Sequence, residues 1–463
     1  FNFIKTPNYK NKKGNEFMKK LLCMSLVALM AATTFAGCST KSTDVSKTED
    51  EKRVLKVAAF EGGNGGDIWR NLEKAFEEEN QDVDIELQLS SKLDEELRPQ
   101  MLDGQYPDVV YYNMGQKSGF TETMIKENAL ADISDVFTGD LKSKLADGFA
   151  ENAITQPYGD GKTYLAPIFY SPTGLWYDAS KFPDGKVPTT WDEMWAYGDK
   201  LKAEGKALFT YPQAGYLDGT LFAMLYQAGG SDYYKKALEY DANTWNSKEG
   251  QLVIDTIAKL ATYTWDLTVA NANSDGGFKK NQQAVIDGQA AFMPNGNWVV
   301  GEMAESTPKD FKWGFIPLPA YEAGGDRYAY TFFEQVWVPK EAKNQDDAKE
   351  FIKFLYSDKA VDLMINNKAK NKKGEMVSAP LVQPVKGIVN KLNGDMKLFY
   401  SIYEQKGVLP ALGNWATTNT IEGLDFKKSV YGAVDSVING SMTAEQWKAQ
   451  LNDTFKKCRE NLK

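Results

Sequence analysis

Between residues 54 and 112 the chain changes hydrophobic period several times, and that alternation narrows the folds open to it. Residues 54–60 (VLKVAAF) are a short, mostly apolar run that ends in the glycine-rich segment 61–66 (EGGNGG). Ile68, Leu72, Ala75 and Phe76 then recur at helical spacing, with Asp67 placed to cap the helix they define. Residues 83–89 (VDIELQL) alternate strictly, as a strand with one wet face does. A second helix is expected around 94–102, and a third, buried strand at 107–112 (PDVVYY). Strands alternating with helices predict a parallel sheet covered by helices.

The sequence has 463 residues, with 54 Lys and Arg against 63 Asp and Glu. A chain this long exceeds a single core and is expected to divide into two lobes. The acidic balance argues against nucleic acid as a partner, because neutralising phosphates takes clustered Lys and Arg. Histidine is absent. That removes Ser-His-Asp and Cys-His catalysis, His-bound zinc and an imidazole base. An enzyme would be left with a carboxylate pair or with Asp/Glu-bound metal. Neither a metal nor a cofactor is expected from the two motifs that come nearest. Asn271, Asn273, Asp275 and Gly276 have calcium-loop spacing, but Gln282 stands where the bidentate Glu belongs, so a polar turn is expected. A dinucleotide fingerprint starting at Gly63 fails at Ile68. The loop still follows a first parallel strand, where open α/β sheets place ligands, and Glu61 and Asn64 could bond hydroxyls there.

The start of the sequence carries a second constraint. Met18, Lys19 and Lys20 precede an apolar run at 21–35 (LLCMSLVALMAATTF), and Ala36-Gly37-Cys38 sets small residues before a cysteine. This is the grammar of a secretory leader, and the run is shorter than the ~20 residues of a membrane-spanning helix. Cys38 at the cleavage point resembles a bacterial lipobox, in which the thiol is acylated and becomes the new N-terminus. Residues 1–17 are read as an upstream extension, 18–37 as the leader, and 38–53 as a lipidated cysteine with a flexible tether. The remaining cysteines are Cys23, inside the leader, and Cys458, so the mature body has no pair to bridge. The body is expected on the extracellular face of the cell membrane, as a monomer.

The chemistry that remains is aromatic. Tyr170, Trp176 and Tyr177, then Tyr211 and Tyr216, Asn295-Gly296-Asn297-Trp298, Phe332-Phe333-Glu334-Gln335 and Asn414-Trp415 include many aromatics beside Gly, Pro or Asn. A ring face suits the axial C–H bonds of a pyranose, while nearby amides and carboxylates take its hydroxyls. Trp298 and Trp415 are the leading candidates for stacking.

At these residues the chain resembles the extracellular solute-binding proteins of carbohydrate ABC transporters, the family that includes maltose-binding protein. Pro188-Thr189-Thr190-Trp191-Asp192-Glu193-Met194 is similar to the family's P-x-T-W-D-E-L helix start, and Thr190 with Glu193 forms a capping box. The segment 292–298 (FMPNGNW) matches its M-x-x-G-x-W pattern, whose tryptophan commonly stacks on sugar. Residues 160–167 resemble the run into the first interlobe crossing, and 313–319 the strand and P-L-P before the return. Phe60 to Gly63, Leu97 to Pro99 and Tyr106 to Val110 look most like the branch that binds N-acetylglucosamine and chito-oligosaccharides.

The resemblance implies an α/β, two-lobe periplasmic-binding-protein-like fold of type II, each lobe a mostly parallel sheet covered by helices and joined by hinge strands. It implies a first lobe at 54–167 and 335–376, and a second at 168–334 and 377–463. It also implies a binding component, not an enzyme, which passes a sugar to ABC permease subunits. Ligand contacts are expected from Glu61, Asn64, Asn113, Tyr170, Trp176, Tyr216, Asn295, Asn297, Trp298, Glu334 and Trp415. Two other readings stay open: a sugar-binding sensor or adhesin, and a secreted glycosidase with a carboxylate pair among Glu61, Asp178 and Glu334.

Overall fold

β1 (Arg53–Phe60) sends alternate residues into two cores, since successive strand side chains point to opposite faces. Leu55, Val57 and Ala59 pack with Ile68, Trp69, Leu72 and Phe76 of the helix Asp67–Glu79. Ala58 faces the other way, toward Leu93 and Leu97 of the helix Leu93–Leu102. β2 (Val83–Ser90) and β3 (Val109–Tyr111) flank β1 in parallel, with Arg53 opposite Val83 and Val57 opposite Val109. The parallel, helix-covered sheet read from the sequence is therefore present. One detail differs: Gly66 occupies the N-cap without a side-chain bond, and Asp67 is the first helical residue. There its charge meets the positive end of the helix dipole. This computed structural model describes residues 52–62, 65–116, 118–152, 154–370 and 374–462, which fall in one compact unit.

The chain then leaves the first sheet through β4 (Leu165–Pro172) and, after Thr173 and Gly174, enters a second sheet at β5 (Leu175–Asp178). That sheet has β6 (Ala207–Phe209), β7 (Ala290–Pro294) and β8 (Trp313–Ile316) in the order β6-β7-β5-β8. Only β6 and β7 are parallel, and β5 runs antiparallel to both β7 and β8, so this sheet is mixed where a mostly parallel one was expected, because β5 enters it directly from β4. β9 (Arg327–Trp337) brings the chain back. It pairs antiparallel with β4 from Thr331 to Trp337, and antiparallel with β3 through Val336 and Trp337. β10 (Lys368–Lys370) and β11 (Met376–Ser378) make a small hairpin, and β12 (Val408–Ala411) runs parallel to the first half of β9. The first sheet thus reads β12-β9-β3-β1-β2, with β4 attached to β9.

Helices cover both sheets. Thr190 caps the helix Trp191–Ala203 in the expected box, its hydroxyl accepting from the Glu193 N–H while the Glu193 carboxylate accepts from the Thr190 N–H. The second lobe's core gathers Leu221, Phe222, Val253, Ile254, Trp447 and Phe455 from three helices. Cys458 lies buried there, its thiol pushed up to about 11 by burial.

Candidate functional site

Strand direction decides where the two sheets face one another. Tyr111 of β3 is opposite Val336, so the earlier residues of β9 extend past the carboxyl ends of β1, β2 and β3. Leu175, the first residue of β5, is opposite Pro294, the last of β7. The carboxyl ends of the parallel strands in both lobes therefore point at the crossing strands β4 and β9. Open α/β sheets place their ligands at such ends.

On the second lobe, the segment leaving β7 presents the most open aromatic of this region. Trp298 begins the helix Trp298–Glu302 and is 49% exposed. Its ring folds back over Gly296, where a Cβ would lie 2.1 Å from it. A side chain at this position would displace the ring, which gives the G-x-W spacing a steric consequence. Tyr216, half-buried, holds its ring 6.2 Å from that of Trp298, tilted by 55°. Asn295 is 5% exposed; its side-chain oxygen accepts from the Gly296 N–H, and its Nδ2 has no hydrogen-bond partner among the described residues. A dry, unused amide donor is costly. Asn297 instead donates to the Met396 sulfur at 3.0 Å.

Asp218 was not singled out in the sequence, where it reads as an ordinary acid in the first turn of a helix. It is open to solvent yet ringed by protein, and desolvation raises its carboxyl pKa against the opposing pull of the Gly219 N–H and of Lys427. The start of its helix abuts the link between β4 and β5, because a Cβ on Gly219 would lie 2.7 Å from Thr173.

Other expected contacts are held by protein partners. Trp176 is wholly buried in β5, stacked at 7° to Phe399, with its indole N–H donated to the Asn295 carbonyl. Tyr170, 7% exposed in β4, packs edge-on against Tyr400 and Phe149, and burial holds its hydroxyl pKa well above the usual value. Both are core residues here, because each lies in a strand between layers of aromatic side chains. Asn113 is buried and accepts from the Gln335 N–H at 3.0 Å, while Gln335 in turn accepts from the Met114 N–H. Glu334 accepts from the Tyr111 hydroxyl. These bonds tie the end of β3 to β9. Trp415 is half-buried among Phe222, Tyr240, Phe426 and Phe455, and donates its indole N–H to the Tyr431 hydroxyl. Glu61 is exposed at the end of β1. Asn64 and Cys38 lie outside the described residues. Asp178 bonds backbone N–H groups of Ser180 and Lys312. An enclosed apolar void of about 20 Å³ below Tyr211 and Trp447 holds at most a water and belongs to the core.

Two α/β lobes with crossing strands and an aromatic, amide-bearing rim define a two-lobe solute-binding protein. The comparisons with known proteins agree with that class. A family model for bacterial extracellular solute-binding proteins matches residues 62–362, and the chain belongs to that family, whose members bind substrates and are not enzymes. The diacetylchitobiose binding protein NgcE of Streptomyces coelicolor is 25% identical over 375 residues, covering 74% of this chain and 77% of the relative. The arabinooligosaccharide-binding protein of Bacillus subtilis is 25% identical over 356 residues, covering 73% and 76%. Among solved structures, the bacterial solute receptor AcbH superposes with a TM-score of 0.66 at 16% identity, covering 88% of this chain and 99% of that one. RafE from Streptococcus pneumoniae gives 0.61 at 19% identity, covering 88% and 98%. At these identities the structures establish the two-lobe fold.

Proposed function

We propose that this protein captures a sugar or oligosaccharide between its lobes and delivers it to the permease of an ABC importer. The observation that carries this reading is the half-exposed Trp298 beside Tyr216, at the carboxyl end of β7 in a chain of this family. A flat ring face next to an unpaired amide suits a pyranose, which offers C–H bonds on one face and hydroxyls at its edge. Trp298, Tyr216, Asn295, Asn297 and Asp218 form the second-lobe side of the site. From the first lobe, Glu61, exposed at the end of β1, and Asn64 are the residues proposed to bond the ligand's hydroxyls. The lobes comprise 54–167 with 335–376, and 168–334 with 377–463. Binding shifts an open–closed equilibrium toward the closed form. Cys38 carries the lipid that holds the protein at the extracellular face of the membrane.

N-acetylglucosamine or a chito-oligosaccharide is the favoured ligand, supported by the diacetylchitobiose-binding relative. The arabinooligosaccharide-binding relative is equally identical, so the test must include both classes. A thermal-shift screen of the purified protein against N-acetylglucosamine, diacetylchitobiose, arabinobiose, maltose, xylobiose and cellobiose separates them, since a ligand bound only by the folded state raises the midpoint. A shift confined to the N-acetylated sugars is expected. A shift with another sugar alone overturns the specificity, and no shift with any of them overturns sugar capture. Cys38→Ser is expected to abolish metabolic lipid labelling; label that persists in the variant counts against the anchor.

A further inference from the structure

The helix Phe120–Lys126 is fastened to the first sheet, with Phe120 edge-on to Tyr112 at 5.6 Å and the Thr121 hydroxyl donating to the Tyr112 carbonyl. Between these anchors and the far side of the molecule stands Glu122. Its Oε1 accepts from the Gly115 N–H at 2.6 Å and from the Thr417 hydroxyl at 2.7 Å. Thr417 belongs to a segment pinned to the second lobe. The Ala416 N–H donates to the Leu238 carbonyl, the Tyr240 hydroxyl to the Ala416 carbonyl, and the Asn419 N–H to the Asn461 carbonyl. Gly115 lies against the Asn414 amide and holds φ at +79°, a left-handed conformation that favours glycine. Asn414 is itself fixed by the Tyr330 hydroxyl of β9 at 2.6 Å. The second oxygen, Glu122 Oε2, is buried at this seam without a hydrogen-bond partner among the described residues.

We infer that Glu122 is a positioning residue for ligand capture, a clasp whose bond to Thr417 joins the lobes before any ligand arrives. The inference rests on the two-lobe capture reading. Opening the cleft breaks the Thr417 bond and, in the same movement, returns the dry Oε2 to water. One term favours closure and the other opposes it, so the clasp biases the equilibrium without locking it. It thereby sets how much of the free protein is ready to bind.

The test uses the full chain with Thr417→Val, which removes only the donor, and Thr417→Ser, which keeps it. Small-angle scattering of the sugar-free protein is expected to give a larger radius of gyration for Thr417→Val than for wild type, with Thr417→Ser close to wild type. Titration with diacetylchitobiose is expected to show affinity weakened about three- to tenfold in Thr417→Val, the equivalent of one hydrogen bond. Unchanged scattering in Thr417→Val overturns the clasp, as does a fall in melting temperature with neither radius nor affinity altered. Glu122→Ala combined with Thr417→Val is expected to weaken affinity no further than Glu122→Ala alone; additive losses overturn the pairing. The scattering comparison needs no sugar, so a wild type that ignores diacetylchitobiose refutes the choice of ligand and leaves the clasp to be judged on its own.

Discussion

Trp176 and Trp298 have similar surroundings in the sequence and opposite ones in space. Each lies two residues from a glycine, in a stretch rich in aromatics and turn formers. Trp176 is enclosed by Trp313, Phe315 and Phe399, and its one polar atom is used. Trp298 leaves half its surface open beside a donor that nothing uses. The two are linked, since the carbonyl that satisfies Trp176 is that of Asn295, three residues before Trp298. A buried, saturated tryptophan thus holds the backbone from which an exposed one projects. Composition cannot tell a supporting ring from an open one; burial can.

The largest effect should come from Trp176→Ala, which leaves a cavity where a whole indole was packed. A loss of about 3–5 kcal/mol in unfolding free energy is expected, read by urea denaturation. A loss under 1 kcal/mol would place Trp176 outside the core. Trp298→Ala should invert the pattern: affinity for the bound sugar falls by about 1 kcal/mol or more, while the melting temperature of the free protein scarcely moves. Heavy destabilisation with affinity intact would make the two tryptophans alike and end the distinction. Trp298→Phe should have the smallest effect, keeping a ring face and so most of the affinity; a loss matching that of Trp298→Ala would mean that stacking is not what the residue supplies.

The parts of the molecule with long, regular patterns were legible. The opening strand–helix–strand segment and the Thr190–Glu193 capping box appear as read, because period and capping chemistry are local properties. The openness of Trp298 was legible too, since it stands beside turn formers. Tyr170 and Trp176 were not. β5 is only four residues long, too short for a period to show, so a buried strand aromatic there reads like a loop aromatic. The bonds of Asn113 and Glu334 join strands far apart in sequence, a pairing that no local pattern encodes. Asp218 escaped for the opposite reason: an acid in the first turn of a helix is so ordinary that nothing marks it.

β9 also bears on the order in which the molecule can form. Tyr111 has no partner on its β9 side until Val336 has been made, since these two are paired. Until then the first sheet keeps an open edge at β3, although its own helices are complete. Pairings so distant in sequence close slowly, because a long loop must be ordered before any contact rewards it. A chain that emerges from its N-terminus therefore passes its entire second sheet before its first can be sealed. Residues 327–337 are thus the segment whose arrival closes the open edge of the first sheet.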